Sequence, residues 1–170
     1  MSTRRASASR RRFLATLAAL AAPPAWSESF EGIAYEVIPP GSPSSARDTA
    51  RRMLEQLVHG DIEAAAKLSN APERRAQVLR DYLASVGDAE FRRVYSQYAA
   101  APVALEVAIG ERHLLIWDLT GAVREAGGQF FVRSEGGFLL DDVPGDERRR
   151  LQRLLRAYRA GKFRPSAGTG

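Results

Sequence analysis

The chain of 170 residues carries 25 Lys and Arg against 20 Asp and Glu, a formal net charge of +5, with two histidines and no cysteine. The lack of thiols excludes disulfides, a cysteine-ligated iron–sulfur cluster and the lipid anchor of a bacterial lipoprotein; His59 and His113 stand in no H-E-x-x-H or comparable spacing, so neither a metal nor another cofactor is expected. Residues 1–27 hold five of the basic residues and none of the acidic ones, so the remainder is formally neutral and nucleic-acid binding loses its main support.

The charge sits in a segment built like an export signal. Arg4, Arg5, Arg10, Arg11 and Arg12 form a positive region, Phe13 to Ala22 an apolar run too short to span a bilayer, and Ala25-Trp26-Ser27 a small-residue site with cleavage between Ser27 and Glu28. The stretch Ser9-Arg10-Arg11-Arg12-Phe13-Leu14 resembles the twin-arginine signal, with Ala15 where lysine is common. The resemblance implies that Arg10, Arg11, Phe13 and Leu14 address a translocase for folded proteins and that the mature chain is periplasmic or secreted. An ordinary Sec signal and a mitochondrial presequence are the alternatives.

Residues 28–44 read as a linker: 39–45, PPGSPSS, is rich in turn formers, and Glu28 to Ile38 would be a mobile or edge-pairing lead. In "SARDTARRMLEQLVHG" the residues Ala46, Ala50, Met53, Leu54, Leu57 and Val58 recur at helical spacing, with Ser45 and Asp48 as a cap and Gly60 as terminator. Asp61 caps a short second helix. A third opens at Asn70 with Pro72 and Glu73 in its first turn and a stripe of Val78, Leu79, Tyr82, Leu83 and Val86. A fourth starts at Asp88 and buries Phe91, Val94, Tyr95 and Tyr98.

After Pro102 the period changes to two. "VALEVAI", "RHLLIWDLT", "QFFVRS" and "GFLLD" are separated by Gly110-Glu111, Gly127-Gly128 and Gly136-Gly137, the pattern of an antiparallel meander; 122–126 would extend the second connection or add a short strand. Helices first and strands afterward predict an α+β domain over residues 45–143. The order, with "MLEQLVHGDIEAAAKLS", resembles the nuclear-transport-factor-two-like superfamily over roughly Ala46 to Asp142. That resemblance implies N-terminal helices packed on a curved, cone-like antiparallel sheet with a pocket. The superfamily includes enzymes, binding proteins and dimerising or accessory domains.

A two-residue turn at Gly110-Glu111 pairs Ile109 with Arg112, Val107 with Leu114, Leu105 with Ile116 and Val103 with Asp118, and a three-residue turn would flip the second strand. The two-residue register puts Glu106 diagonally within reach of His113, on a face with Ala104, Ala108, Leu115 and Trp117. A carboxylate that orients an imidazole can serve a general base, with Asp118 as a further candidate, although such a face is more often covered or partly solvated than catalytic. Tyr95, Tyr98, His113 and Trp117 are candidates to line a small-ligand pocket, against the plain reading of an amphipathic core.

Residues 144–161 form a C-terminal basic amphipathic helix. Leu151, Leu154, Leu155 and Tyr158 make a narrow stripe, and Asp146 and Glu147 sit at its positive end. Its basic face, with Arg148, Arg149, Arg153, Arg156 and Arg159, would be solvated or would meet anionic lipid or an acidic partner peripherally. Residues 162–170 read as a disordered tail. These features predict an exported, non-catalytic binding or accessory protein of the bacterial envelope, holding a small apolar ligand or a protein partner, a homodimer included. The alternatives are a pocket enzyme using His113 with Glu106 or Asp118, and envelope contact through the basic helix.

Overall fold

In a computed structural model, which describes residues 27–120 and 125–165, the chain pairs with itself before any helix forms. Ser27–Phe30 (β1) and Ile33–Val37 (β2) are a hairpin whose two-residue turn, Glu31 and Gly32, has both φ angles positive (48° and 76°). Such turns match the right-handed twist of the strands they join. The predicted export-signal residues Arg10, Arg11, Phe13 and Leu14 lie outside the described residues. Of the two readings of residues 28–38 the edge-pairing one holds, with the strands ending at Val37: Ile33 and Tyr35 alternate onto one face and are buried there, so this part of 28–44 is not linker.

Four helices follow: Arg47–His59 (α1), Ile62–Ala66 (α2), Pro72–Val86 (α3) and Asp88–Ala100 (α4). Asp61 caps α2 through a bond accepted from the Ala64 N–H. At α3 the expected cap is absent: the Asn70 side chain bonds instead to Asp141 and to the backbone N–H of Asp142, and the helix starts after Ala71. The stripe is also narrower than predicted. Helix α3 packs on α2 and α4, burying Ala76 and Leu79 while Val78 stays 50% exposed.

The chain then returns to the sheet beside β2 as Val103–Ile109 (β3), Arg112–Trp117 (β4), Gly127–Ser134 (β5) and Gly137–Leu140 (β6), giving a six-stranded antiparallel sheet in the order β1-β2-β3-β4-β5-β6. The β3–β4 register matches the two-residue turn from Ile109 opposite Arg112 as far as Leu105 opposite Ile116. An irregularity between Val103 and Leu105 then places Val103 opposite Trp117 instead of Asp118, whose N–H bonds to the Pro102 carbonyl. Residues 122–124 lie outside the described residues.

A final helix, Asp146–Arg159 (α5), covers the opposite face of the sheet from α1–α4, so the α+β fold has two cores. Leu115, Trp117 and Phe131 point into the first with Met53, Leu57 and Phe91; Leu114, Ile116 and Val107 point into the second with Leu151, Leu154 and Leu155. The tail does not end at α5. Phe163 is 1% exposed and meets Phe30 and Tyr35 edge-on at 5.2 and 5.1 Å, so residues 162–165 seal the hairpin rather than belong to a disordered tail.

Gly127 and Gly128 let both helical layers approach the start of β5. A Cβ on Gly127 would lie 2.5 Å from the Tyr98 ring, and one on Gly128 would lie 2.5 Å from a Leu155 methyl. Gly127→Ala is expected to cost about 1–3 kcal/mol in urea denaturation, the range for overpacking. Gly136→Ala, with no atom within 4 Å of the added Cβ, should be near neutral.

Candidate functional site

Glu106 and His113, diagonal on neighbouring strands, do meet: Nδ1 of His113 lies 2.9 Å from Oε1 of Glu106, and the residues are 2% and 0% exposed. The carboxylate is also held from the helical layer. The Ser45 hydroxyl donates to Oε2 at 2.6 Å, the Ala46 N–H to Oε1 at 2.8 Å and the Arg47 Nε–H to Oε2 at 3.3 Å. Burial pushes the Glu106 carboxyl up, but the bonds from His113, Ser45 and Ala46 outweigh it and hold the group below its ordinary range. An ionised carboxylate only accepts, so Nδ1 of His113 carries its proton toward Glu106.

Ser45 does satisfy the start of α1 locally, accepting the Arg47 N–H at 3.1 Å while donating to Glu106, and the carboxylate adds a bond from the sheet to the N–H of Ala46, which takes the cap position. On the far side the His113 ring stands edge-on to Phe138 at 4.5 Å. A general base must reach a substrate proton. Neither Glu106 nor His113 borders the cavities described below, so the pair fastens α1 to β3 and β4.

The four residues predicted to share one pocket are separated. Tyr98 and Trp117 pack edge-on at 5.9 Å and border a groove whose other wall is α1, with Arg47, Arg51 and Glu55. Tyr95 faces Phe91 and Tyr82 and lines a different cavity; His113 lines neither. Burial pushes the Tyr95 hydroxyl up to about 12, against the opposing pull of Arg75, so it is a neutral phenol.

The Tyr95 cavity, of about 230 Å³, opens where β6 stops short of the start of β5, leaving Gly127–Phe130 without a β6 partner. Met53 and Leu57 of α1, Leu79 of α3, Tyr95 of α4 and Leu140 of β6 give it apolar walls. Arg75, Gln129, Asp141 and Arg148 supply the polar lining. All four stand outside the predicted pocket, Arg148 having been expected only on the basic face. The signals were a lone glutamine in an aromatic strand and two aspartates directly after β6, but their convergence depends on α3 and α5 meeting across the sheet edge.

Those aspartates are committed. Asp142 forms a two-point ion pair with Arg75 and accepts from Ser69 at 2.7 Å. Asp141, 1% exposed, accepts from Arg112 at 2.8 Å and Asn70 at 2.9 Å. Of the expected basic face, Arg149, Arg153, Arg156 and Arg159 are exposed, whereas Arg148 is half-buried with its guanidinium 5.0 Å from the Phe130 ring centre. Among the described residues no group of three His, Asp or Glu is placed to hold a metal ion.

Glu106→Ala is expected to cost about 3–5 kcal/mol in urea denaturation, since it strands buried partners of a charge. Because the folded-state pKa of Glu106 is depressed, its contribution is present above the unfolded value, about 4.3, and is lost as pH falls through the lower folded value. The stability gap between wild type and Glu106→Gln should therefore be widest at neutral pH and narrow below about pH 4.

No protein-family model, curated protein or solved structure matches this chain, so its own geometry carries the functional reading.

Proposed function

We propose that the chain is an exported, non-catalytic binding domain of the bacterial envelope, built on the nuclear-transport-factor-two-like plan of a curved sheet packed with helices. The observation that carries the reading is the cavity at the β5 edge, whose apolar walls come from both the helical layer and the sheet. Small-molecule sites combine apolar walls with placed polar groups, and here the apolar walls stand beside a largely polar lining supplied by Arg75, Gln129, Asp141 and Arg148. The export-type sequence at Ser9 to Leu14 supports the location.

An enzyme reading would need a reactive group in contact with the ligand. The one imidazole–carboxylate pair predicted from sequence is enclosed between α1 and Phe138, with both carboxylate oxygens occupied. This favours binding over turnover.

Native mass spectrometry of the mature protein, purified gently from the envelope of its own host, tests the proposal. A reproducible added mass of a small molecule, released on denaturation, is the expected result. A bare protein that no small molecule stabilises thermally would overturn it.

A further inference from the structure

Two buried side-chain polar atoms of the described residues have no hydrogen-bond partner, Oε1 of Gln129 and Nη1 of Arg148. Both residues line the β5-edge cavity. One atom is an acceptor and the other a donor on a permanent cation. Buried polar groups are almost always satisfied, so two unsatisfied ones on residues that line a single cavity call for a ligand with matching groups.

The way the charges around the cavity are paired fixes the sign. Arg75 is neutralised by Asp142, and Asp141 by Arg112, which also reaches Glu147 at 3.0 Å. Arg148 takes part in no ion pair among the described residues and only stacks on Phe130. Among the lining residues Arg75 and Arg148 stand against Asp141, and with the paired Asp142, Arg112 and Glu147 counted the group is formally neutral; the cation with no carboxylate of its own is Arg148, whose planar fork suits one.

The size limits the rest of the ligand. At about 230 Å³ the cavity is smaller than the roughly 300–1,000 Å³ that hold drug-sized molecules. The walls offered by Met53, Leu57, Leu79 and Tyr95 are apolar apart from the Tyr95 hydroxyl. We propose that the ligand is a small organic monoacid, a short chain or a single ring, whose carboxylate meets Arg148 and whose own hydroxyl or N–H group meets Gln129. This rests on the reading of the cavity as a ligand site and adds the class of ligand.

Hexanoate and benzoate, set against hexan-1-ol and benzyl alcohol, test it by calorimetry on the mature protein. The acids should bind at least tenfold more tightly than the alcohols. Arg148→Met, which keeps the stem over Phe130, should abolish that preference and leave the alcohols unchanged, while Arg148→Lys should retain part of it. Gln129→Leu should remove any further gain seen with 2-hydroxyhexanoate or 6-hydroxyhexanoate over hexanoate. Equal affinity for acids and alcohols, or acid binding unaltered by Arg148→Met in a variant that melts like wild type, overturns the monoacid assignment and leaves the cavity reading standing. If none of these probes binds, both fall.

Discussion

The fold depends on one buried carboxylate. Glu106 sits on β3 with no exposed surface, yet its two oxygens gather donors from Ser45, Ala46, Arg47 and His113, residues that precede or open α1 or belong to β4. Burying an isolated carboxylate costs several kcal/mol, and only good geometry with several charge-assisted bonds offsets that. The N-terminus of α1 adds a favourable field. Farther along α1, the Thr49 hydroxyl donates to the Phe138 carbonyl at 3.1 Å, and the Phe138 ring meets His113. The helix is thereby keyed to β3, β4 and β6, which sets how the helical layer lies over the sheet.

With that layer on one face and α5 on the other, the central strands are covered twice. This explains why "VALEVAI" and "RHLLIW" are nearly continuous apolar runs, a pattern more familiar in sheets buried on both faces than in meanders with one wet side. It also explains Gly127-Gly128 as more than a turn: both residues belong to β5, where one makes room for Tyr98 and the other for Leu155. Large side chains there would push the two layers apart.

What the sequence disclosed follows from how local each signal is. Helical spacing, the Asp61 cap, the two-residue β3–β4 turn and the nearness of Glu106 to His113 depend on residues close in the chain, and the structure has them. Ser45 was legible at the start of α1, but the acceptor for the Ala46 N–H was not, because it lies 60 residues away. The β1–β2 hairpin read as no more than a mobile or edge-pairing lead within a linker because its strands are only 4 and 5 residues long. Its partners, β3 and Phe163, come much later in the chain. Arg148 read as one more member of a basic run, since nothing local tells a helical arginine that one neighbour will be an aromatic ring.

The cavity itself is a consequence of how β6 ends. Leu140 is the last β6 residue paired with β5, the Asp141 N–H adding one more bond to the Phe130 carbonyl, and the outer edge of Leu140 is taken by the α2–α3 connection, through Leu68 and Asn70. Asp141 and Asp142 are then held by Asn70, Arg112, Ser69 and Arg75, which anchors the chain where it leaves the sheet and leaves Gly127–Gln129 paired with β4 but with no β6 partner on the outer edge. The same bonds decide the charge of the space so formed. Asp141 lines the cavity together with Arg148, but its oxygens are already engaged by Arg112, Asn70 and the Val143 N–H. Were Asp141 free, Arg148 would have a carboxylate within the protein and the cavity would suit a neutral guest. Because Asp141 is committed to holding β6 in place, Arg148 is left without an ion-pair partner among the described residues, its guanidinium over the Phe130 ring.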